Sequence, residues 1–232
     1  MRKYNWLLFD LDNTLLDFGQ SSKEAFFTIF EPHGYTFTAE DYKDYNVINH
    51  KAWVDLEKGL LTPEVLKTRR WQLFFEEKGL SLDPAAINEA YFDYIKKNPV
   101  FVPGAEGLIE SLADTYDLCL VTNGLAEVQH PRLRLSGLDK LFPHIIVSEE
   151  IGIAKPAISF FDHVMQVIGQ PLKEEILIIG DTLTSDIRGG IDYGIDTCWY
   201  NYYGKENTTQ YHPTYELSDI RDFVGLLDRA KL

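Results

Sequence analysis

The stretch Trp6-Leu-Leu-Phe-Asp10-Leu-Asp12-Asn-Thr14 sets four apolar residues directly before two carboxylates and a hydroxyl. A short apolar run that ends in polar turn residues is typical of a strand buried on both faces of a parallel sheet. Such sheets bind their ligands at the carboxyl ends of the strands. The stretch therefore predicts a buried strand over Trp6–Phe9, with Asp10 and Asp12 on a loop at the edge where an active site forms.

The same apolar pattern recurs along the second half of the chain. It predicts strands over Leu118–Thr122, Ile145–Ser148, Ile176–Ile179 and Thr197–Tyr200. Helical spacing of apolar residues predicts helices over Gly104–Asp114, Pro131–Gly137, Pro156–Gly169 and Thr184–Tyr193, and a last helix from about Leu217. Alternating strands and helices indicate an α/β fold, here a Rossmann-like parallel sheet with crossover helices.

The segment 17–98 has a different character, because it contains no strand-like run and its apolar residues follow helical spacing. Helices are predicted over Ser22–Glu31, Ala39–Lys58, Pro63–Lys78 and Pro84–Lys97. We therefore predict an α/β core of residues 1–16 and 99–232, interrupted by an all-helical cap of residues 17–98. Because the insert leaves beside the Asp10 loop, we expect it to cover that loop as a lid.

Charge and composition limit the partners that we expect. The chain has 36 acidic and 22 basic residues, a net charge of −14 that repels polyanions. The basic pairs Arg69-Arg70 and Lys96-Lys97 are isolated and are interpreted as solvated helix faces. No nucleic acid polymer is expected as a partner, and the sequence leaves a monomer or a homodimer open.

Cellular location is inferred from the cysteines and the apolar runs. Cys119 and Cys198 are the two cysteines, too few for a disulfide framework or a metal site, which favours a reducing cytoplasm. Asp10 and Asp12 interrupt the first apolar run after four residues, which argues against a signal peptide. No window approaches the roughly 20 apolar residues of a membrane span. We expect a soluble cytoplasmic protein.

Carboxylates at the ends of predicted strands point to a metal site. Burying Asp10 and Asp12 close together is expensive unless a cation or a shared proton compensates their charge. A carboxylate with a loop carbonyl is a usual start for a Mg²⁺ site, and Asp181 follows another predicted strand. Asp186 either binds the waters of the ion or orients a lysine. The predicted metal site therefore draws on Asp10, Asp12, Asp181 and Asp186.

The remaining polar residues fit phosphoryl transfer. Asp10 is the candidate nucleophile on phosphorus, and Asp12 is the candidate general acid and base. Thr122 contributes a hydroxyl, and Asn123 and Gly124 contribute loop amides for the phosphoryl oxygens. Lys155 supplies positive charge for the transition state. Each motif alone has an ordinary explanation as a turn or a helix cap, so the prediction rests on their conjunction.

The order Asp10-x-Asp12-x-Thr14, Thr122, Lys155 and Gly180-Asp181-x-x-x-x-Asp186 resembles the four motifs of the haloacid dehalogenase-like superfamily. The resemblance covers the whole chain, because the helical insert is similar to the first type of cap domain in that superfamily. It implies an Asp10 nucleophile, an Asp12 acid and base, and Mg²⁺ held by Asp10, the Asp12 carbonyl and Asp181. It also implies phosphoryl contacts from Thr122, Asn123 and Lys155.

Two further segments resemble one subgroup of this superfamily. Gly180–Asn201 and the run from Thr122 through Gln129, Arg132 and Leu133 to Gly137 are similar to bacterial cytosolic nucleotidases that act on pyrimidine nucleoside monophosphates. The implied activity is Mg²⁺-dependent hydrolysis of a small phosphomonoester through an aspartyl phosphate.

Other activities of the superfamily stay open. A sugar-phosphate phosphatase or a phosphomutase would use the same motifs. A 2-haloacid dehalogenase is disfavoured because Asp12 and both carboxylates of the fourth motif are present. A catalytically idle binding protein is disfavoured because the candidate nucleophile, acid, lysine and metal ligands are all present. Phosphonate cleavage would need a cap lysine, for which Lys23 or Lys51 is a weak candidate. Phe18 and Trp53 are candidates to stack on a base.

Overall fold

The computed structural model describes residues 3–230, without the side chain of Glu57. Within this range six strands form one parallel sheet. The strands are β1 (Trp6–Phe9), β2 (Asp117–Thr122), β3 (His144–Val147), β4 (Ile176–Gly180), β5 (Asp196–Tyr200) and β6 (Tyr215–Leu217). Their order across the sheet is β3-β2-β1-β4-β5-β6, which confirms the predicted α/β fold with a parallel sheet.

The first strand lies in the middle of the sheet and aligns the loops that follow its neighbours. Phe9 pairs with Leu120 of β2 on one side and with Ile179 of β4 on the other. Because all three strands are parallel and in this register, their carboxyl ends meet at one edge. Asp10, Thr122 and Asp181 therefore emerge close together.

Ten α-helices are present in the described part of the chain. They are α1 (Phe18–Ile29), α2 (Ala39–Glu57), α3 (Pro63–Lys78), α4 (Pro84–Lys97), α5 (Ala105–Ala113), α6 (Ala126–Ser136), α7 (Ser148–Ile151), α8 (Ile158–Val167), α9 (Arg188–Tyr193) and α10 (Phe223–Arg229). The helices α3 and α4 have the predicted bounds. Both begin with proline, whose missing N–H costs nothing at the start of a helix.

The sheet has an apolar core on each face. Leu7 and Phe9 of β1 lie in one core together with α5 and α10, whereas Leu8 lies in the other core with Phe160 and Phe161 of α8. Successive side chains of a strand point to opposite faces, so a strand covered on both sides must be apolar throughout. This double burial explains the uninterrupted apolar run before Asp10.

The chain divides into two compact units, one of Met1–Phe18 with Pro99–Leu232 and one of Gly19–Asn98. The second unit is helical, and its interior is aromatic. The rings of Phe26, Phe30, Tyr45, Trp71, Phe74 and Tyr91 are fully buried. Tyr45 stacks on Trp71 with ring centroids 4.4 Å apart. Large rings let a small helical unit bury a large apolar area.

One residue of this unit corrects the interpretation of the basic pairs as solvated. Arg69 is exposed, but Arg70 is fully buried. Its guanidinium donates to Asn49 Oδ1 at 2.8 Å and to Asn88 Oδ1 at 2.7 Å. It also lies 5.0 Å from the centre of the Tyr91 ring. Charge alone was a poor guide here, because amide oxygens and ring faces can hold a buried guanidinium.

The largest differences from the predicted elements lie in the second half of the chain. Helix α6 starts five residues before the predicted start at Pro131, because Leu125 O accepts the first helical bonds and Glu149 Oε2 accepts from Ala126 N at 2.7 Å. Pro131 lies inside this helix, where it removes one backbone donor. The predicted helix over Thr184–Tyr193 is a π-helical turn, Leu183–Ile187, followed by α9.

The chain after β5 also departs from the prediction. Leu217 ends β6 rather than opening a helix, and α10 starts only at Phe223. The strand β6 has three residues, too few for a visible periodicity. Cys119 and Cys198 are free and buried, in agreement with the absence of a disulfide framework. Among residues 3–230, no helix is both long and apolar enough to cross a bilayer.

Candidate active site

Asp10 and Lys155 form the centre of a buried cluster at the carboxyl edge of the sheet. Lys155 Nζ lies 2.7 Å from Asp10 Oδ1, 2.7 Å from Asp186 Oδ1 and 2.8 Å from the carbonyl oxygen of Val121. These three acceptors use all three protons of the ammonium group. Thr14 Oγ1 donates to the other oxygen of Asp10 at 3.2 Å. The predicted nucleophile is thus held at both oxygens.

Asp181 completes a group of three carboxylates. Asp10, Asp181 and Asp186 each offer an oxygen, and these oxygens lie within 4.8 Å of one another. Burial raises the pKa of Asp10 well above its usual range, against the lowering effect of Lys155. Burial and the charge of Asp186 raise the pKa of Asp181 to about 7, partly offset by Thr182 and the ammonium groups of Lys205 and Lys155.

Lys155 stays charged in this environment. Burial alone would lower its pKa, but the carboxylates of Asp10 and Asp186 outweigh burial and leave the pKa above its ordinary value. Three carboxylates therefore share one ammonium. The excess negative charge, at hard oxygen donors, is the chemistry that a divalent cation such as Mg²⁺ satisfies.

The backbone around Gly180 explains how Asp186 reaches the cluster. A Cβ atom on Gly180 would lie 2.3 Å from Asp186 Cγ, so only glycine allows this approach. The wide π-helical turn Leu183–Ile187 brings Asp186 back toward the strand, where its Oδ2 accepts from Thr182 N at 3.1 Å. With Oδ1 on Lys155, both oxygens of Asp186 already have partners. Asp186 therefore contacts the lysine directly, as one of the two roles considered for it requires.

Asp12 lies outside the three-carboxylate group and belongs to a second network. Arg132 Nη1 donates to Asp12 Oδ1 at 2.5 Å, and Gln129 Nε2 donates to Asp12 Oδ2 at 2.6 Å. Arg132 Nη1 also donates to Gln129 Oε1 at 2.6 Å. Arg132 and Gln129 are buried, whereas Asp12 is partly exposed. The carboxylate is therefore fixed by two side chains from one helix, α6.

Thr122 joins the second network. Its Oγ1 accepts from Gln129 Nε2 at 3.0 Å and from Gly124 N at 3.1 Å. Two accepted bonds occupy both lone pairs of a hydroxyl, so its proton is directed to another acceptor. The amide of Gly124, one of the predicted phosphate donors, is already used by Thr122. A Cβ atom on Gly124 would lie 2.0 Å from Gln129 Nε2, so glycine is required there by close contact.

The Asn123 side chain binds the main chain of Lys155 and does not point into open space. Its Oδ1 accepts from Lys155 N and its Nδ2 donates to Lys155 O, both at 2.9 Å. This pair of bonds fixes the backbone of Lys155 and hence the start of its side chain. If Asn123 contacts phosphate, the contact comes from its main-chain amide, which is the group that the sequence predicted.

Gln129 and Arg132 are the functional candidates for which the sequence predicted no role. Both lie in the segment that resembles the nucleotidases, but neither belongs to one of the four motifs. Their spacing of three residues places them on one face of α6, which is the only local signal they carry. Phe18, a candidate for base stacking, lies with its ring centre 5.4 Å from the Arg132 guanidinium.

Comparisons with known proteins give the family of the chain. A family model described as haloacid dehalogenase-like hydrolase matches residues 4–194. The chain belongs to the haloacid dehalogenase-like hydrolases. It is 34% identical over 225 residues to the pyrimidine 5'-nucleotidase YjjG of Escherichia coli, covering 97% of this chain and 98% of that protein. It is 38% identical over 228 residues to the pyrimidine 5'-nucleotidase PynA of Streptococcus pneumoniae, with 97% and 96% covered.

A solved structure extends this similarity to three dimensions. The haloacid dehalogenase-like hydrolase YfnB of Bacillus subtilis, crystallised with magnesium bound, superposes with a TM-score of 0.91 at 36% identity. The alignment covers 98% of this chain and 100% of that one, and the YfnB structure is reported to reveal interdomain movement. The predicted membership in the superfamily is thus confirmed, and the protein is a hydrolase of this family.

Proposed function

We propose that this hydrolase is a Mg²⁺-dependent 5'-nucleotidase that cleaves pyrimidine nucleoside monophosphates through an aspartyl phosphate on Asp10. The observation that supports it most is the buried contact of Asp10 with Lys155 in the three-carboxylate group, beside an Asp12 that two side chains hold in place. A nucleophile, a charge-balancing lysine and an acid and base on one sheet edge are the parts that phosphoryl transfer needs.

The donor set fits Mg²⁺. Asp10 and Asp181 offer carboxylate oxygens, and we propose that the main-chain carbonyl of Asp12 adds a third protein ligand. Asp186 assists through Lys155 or through water. When bound, the ion would neutralise the phosphoryl oxygens and so make phosphorus accessible to an anionic nucleophile.

In the first step the Asp10 carboxylate attacks phosphorus, and the bond between phosphorus and the leaving oxygen breaks. Asp12 gives that oxygen a proton, which releases the nucleoside as an alcohol. In the second step a water molecule attacks phosphorus and the Asp10–phosphorus bond breaks. Asp12 takes the proton of this water, so inorganic phosphate leaves and both carboxyl groups return to their starting forms.

Thr122 and Lys155 stabilise the phosphoryl group in different ways. The hydroxyl proton of Thr122 is directed away from its two donors and can be given to a phosphoryl oxygen. Lys155 holds its three protons on fixed acceptors, so it acts through charge and by keeping Asp10 in line.

The substrate class is supported by the two relatives named pyrimidine 5'-nucleotidases, which match nearly the whole chain. The test is phosphate release with Mg²⁺ from uridine and thymidine monophosphates, a sugar phosphate and a sugar diphosphate, compared with Asp10→Asn. We expect a preference for the pyrimidine nucleotides and no turnover by the variant.

Other results would reassign the protein. A preference for the sugar phosphate would make it a sugar-phosphate phosphatase, and product formation from a sugar phosphate only with added diphosphate would indicate a mutase. Full activity of Asp10→Asn would contradict the covalent mechanism. No phosphate release from any of these compounds would contradict a phosphatase function altogether.

A further inference from the structure

The turn of residues 201–205, which follows β5, is closed by hydrogen bonds of the Asn201 side chain. Asn201 is buried, and its Oδ1 accepts from Lys205 N at 2.8 Å while its Nδ2 donates to Lys205 O at 2.9 Å. The same Nδ2 donates to Glu216 Oε1 at 2.8 Å, and Gly204 N donates to Asn201 O at 3.1 Å. One buried amide thus closes the turn and ties it to β6.

This turn displays aromatic rings to solvent. Tyr202 is 50% exposed and Tyr203 is 60% exposed, whereas Tyr200 just before them is 2% exposed. The two exposed rings meet edge to face with centroids 5.1 Å apart. Lys205 is exposed, and its Nζ lies 5.4 Å from the centre of the Tyr203 ring. Neighbouring exposed rings on a fixed turn are typical of binding surfaces rather than of core packing.

The turn lies directly beside the candidate active site. One cavity is lined by Tyr202, Tyr203 and Lys205 together with Asp181 and Asn13. Asn13 belongs to the nucleophile loop, three residues after Asp10, and Asp181 is a member of the three-carboxylate group. A second cavity also contains Asn13, Tyr202 and Tyr203. The turn, Asn13 and Asp181 all belong to the same α/β unit.

Charge supports the same placement. The protein carries a net charge of −14, yet its substrate is an anion. Lys155 and Arg132 are both buried and paired with carboxylates. Lys205 is exposed at the cavity that contains Asp181, where an ammonium can attract an incoming phosphate ester.

We propose that the 201–205 turn is a binding site for the nucleoside part of the substrate, with Tyr202 and Tyr203 providing ring surface for the base and Lys205 attracting the anion. The proposal rests on the proposed nucleotidase function and places part of the selection of the leaving group on the core rather than on the helical unit. Stacking of one base on aromatic side chains is worth on the order of a tenfold gain in binding or more.

The test compares uridine monophosphate with ribose 5-phosphate, which lacks the base. For the double variant Tyr202→Ala with Tyr203→Ala, we expect kcat/KM for the nucleotide to fall about tenfold or more, mainly through KM. The value for ribose 5-phosphate should change less than about twofold. The matched control, Tyr202→Phe with Tyr203→Phe, keeps the rings and should keep the nucleotide preference. Equal losses on both substrates, or none, would overturn the proposal.

A second measurement needs no variant. Nitration of Tyr202 and Tyr203 in the intact protein, followed by mass spectrometry, should slow with a non-hydrolysable uridine phosphonate and not with inorganic phosphate alone. Equal nitration with and without the nucleotide analogue would contradict binding at the turn. If the parent enzyme shows no nucleotide preference, both the proposed nucleotidase function and the proposed nucleoside site on the turn are wrong. If the parent enzyme prefers nucleotides and the alanine variant keeps that preference, only the proposed nucleoside site on the turn is wrong.

Discussion

Arg132 Nη1 lies 2.5 Å from Asp12 Oδ1, so a buried guanidinium is paired with the carboxylate of the proposed acid and base. Gln129 holds the second oxygen of the same carboxylate. The Arg132 Nε and Nη2 atoms have no hydrogen-bond partner in the described part of the chain, so the residue is committed to Asp12 and Gln129 through Nη1. Arg132 is therefore a positioning residue for Asp12.

Loss of this contact should reduce turnover rather than binding. We expect Arg132→Met to lower kcat by about 100-fold, because correctly placed acid and base catalysis is worth that much or more. KM for the nucleotide should change less than about threefold. Arg132→Lys should recover part of kcat because it keeps a cation. Arg134→Met, an exposed arginine of the same helix, is the control and should leave kcat unchanged. A rise in KM at constant kcat would instead place Arg132 at the substrate.

Gly124 should be essential for the same network, because a larger residue there would displace Gln129. Gly124→Ala would force Gln129 away, since the added Cβ would lie 2.0 Å from its Nε2. A displacement of this kind should lower kcat between about 10- and 100-fold. The control is Gly107→Ala in α5, where an added Cβ meets nothing within 4 Å and stability should rise slightly. Steady-state kinetics and melting curves of both variants measure these effects. Full activity of Gly124→Ala would contradict the prediction that Gly124 keeps Gln129 in place.

Binding of Mg²⁺ should depend on pH through the buried acids of its site, Asp181 and also Asp10, whose pKa is raised well above its usual range by burial. The pKa of the Asp181 carboxyl, raised to about 7 by burial and by Asp186, means that the metal-free protein holds a proton there below pH 7. The ion must displace that proton, so its stabilising effect should be small near pH 5.5 and grow as pH rises past 7. Melting temperatures with Mg²⁺ and with EDTA across this range measure the effect.

Two variants separate the three-carboxylate group from exposed acids elsewhere in the chain. Asp181→Asn should remove the gain in melting temperature at every pH. Asp192→Asn, at an exposed aspartate paired with Arg188, should leave it as in the parent. A gain that does not vary with pH in the parent protein would show that Asp181 does not compete with a proton for the ion.

Stability of the helical unit should depend on Arg70. Arg70→Ala removes the donor to Asn49 Oδ1 and one of the two donors to Asn88 Oδ1, the other being Trp71 Nε1, and it opens a cavity between the rings. We therefore expect a loss of roughly 3 kcal/mol in the free energy of unfolding. Arg69→Ala, at the exposed neighbour, should cost less than about 0.5 kcal/mol. Urea unfolding followed by tryptophan fluorescence compares the two, and similar losses would contradict a structural role for Arg70.

Much of the site could be predicted because it follows from strand ends. The runs before Asp10 and Asp181 and the run ending at Thr122 are buried on both faces of the sheet, and such strands leave a clear apolar signal. Parallel alignment then brings their polar neighbours together without further information. The catalytic and metal-binding roles of these residues, the lid role of residues 17–98 and base stacking by Phe18 or Trp53 remain predictions.

Contacts between distant elements could not be predicted in the same way. Gln129 is 117 residues from Asp12, and Arg132 is 120 residues from it. The approach depends on how α6 packs beside the nucleophile loop, and no local periodicity encodes that packing. The burial of Arg70 likewise depends on the fold of the helical unit, because an arginine next to another arginine has the sequence signature of a solvated surface.

By itself, the sequence determined the parallel α/β core, the helical insert and the strand-end residues Asp10, Thr122 and Asp181, because apolar periodicity and turn residues act over short distances. Tertiary structure alone decided that Arg132 and Gln129 hold Asp12. It also decided that Asp186 and Asn123 hold Lys155, and that the tyrosine turn after β5 faces Asp181. Each of these depends on side chains meeting across elements far apart in the chain, and only the packed fold sets those distances.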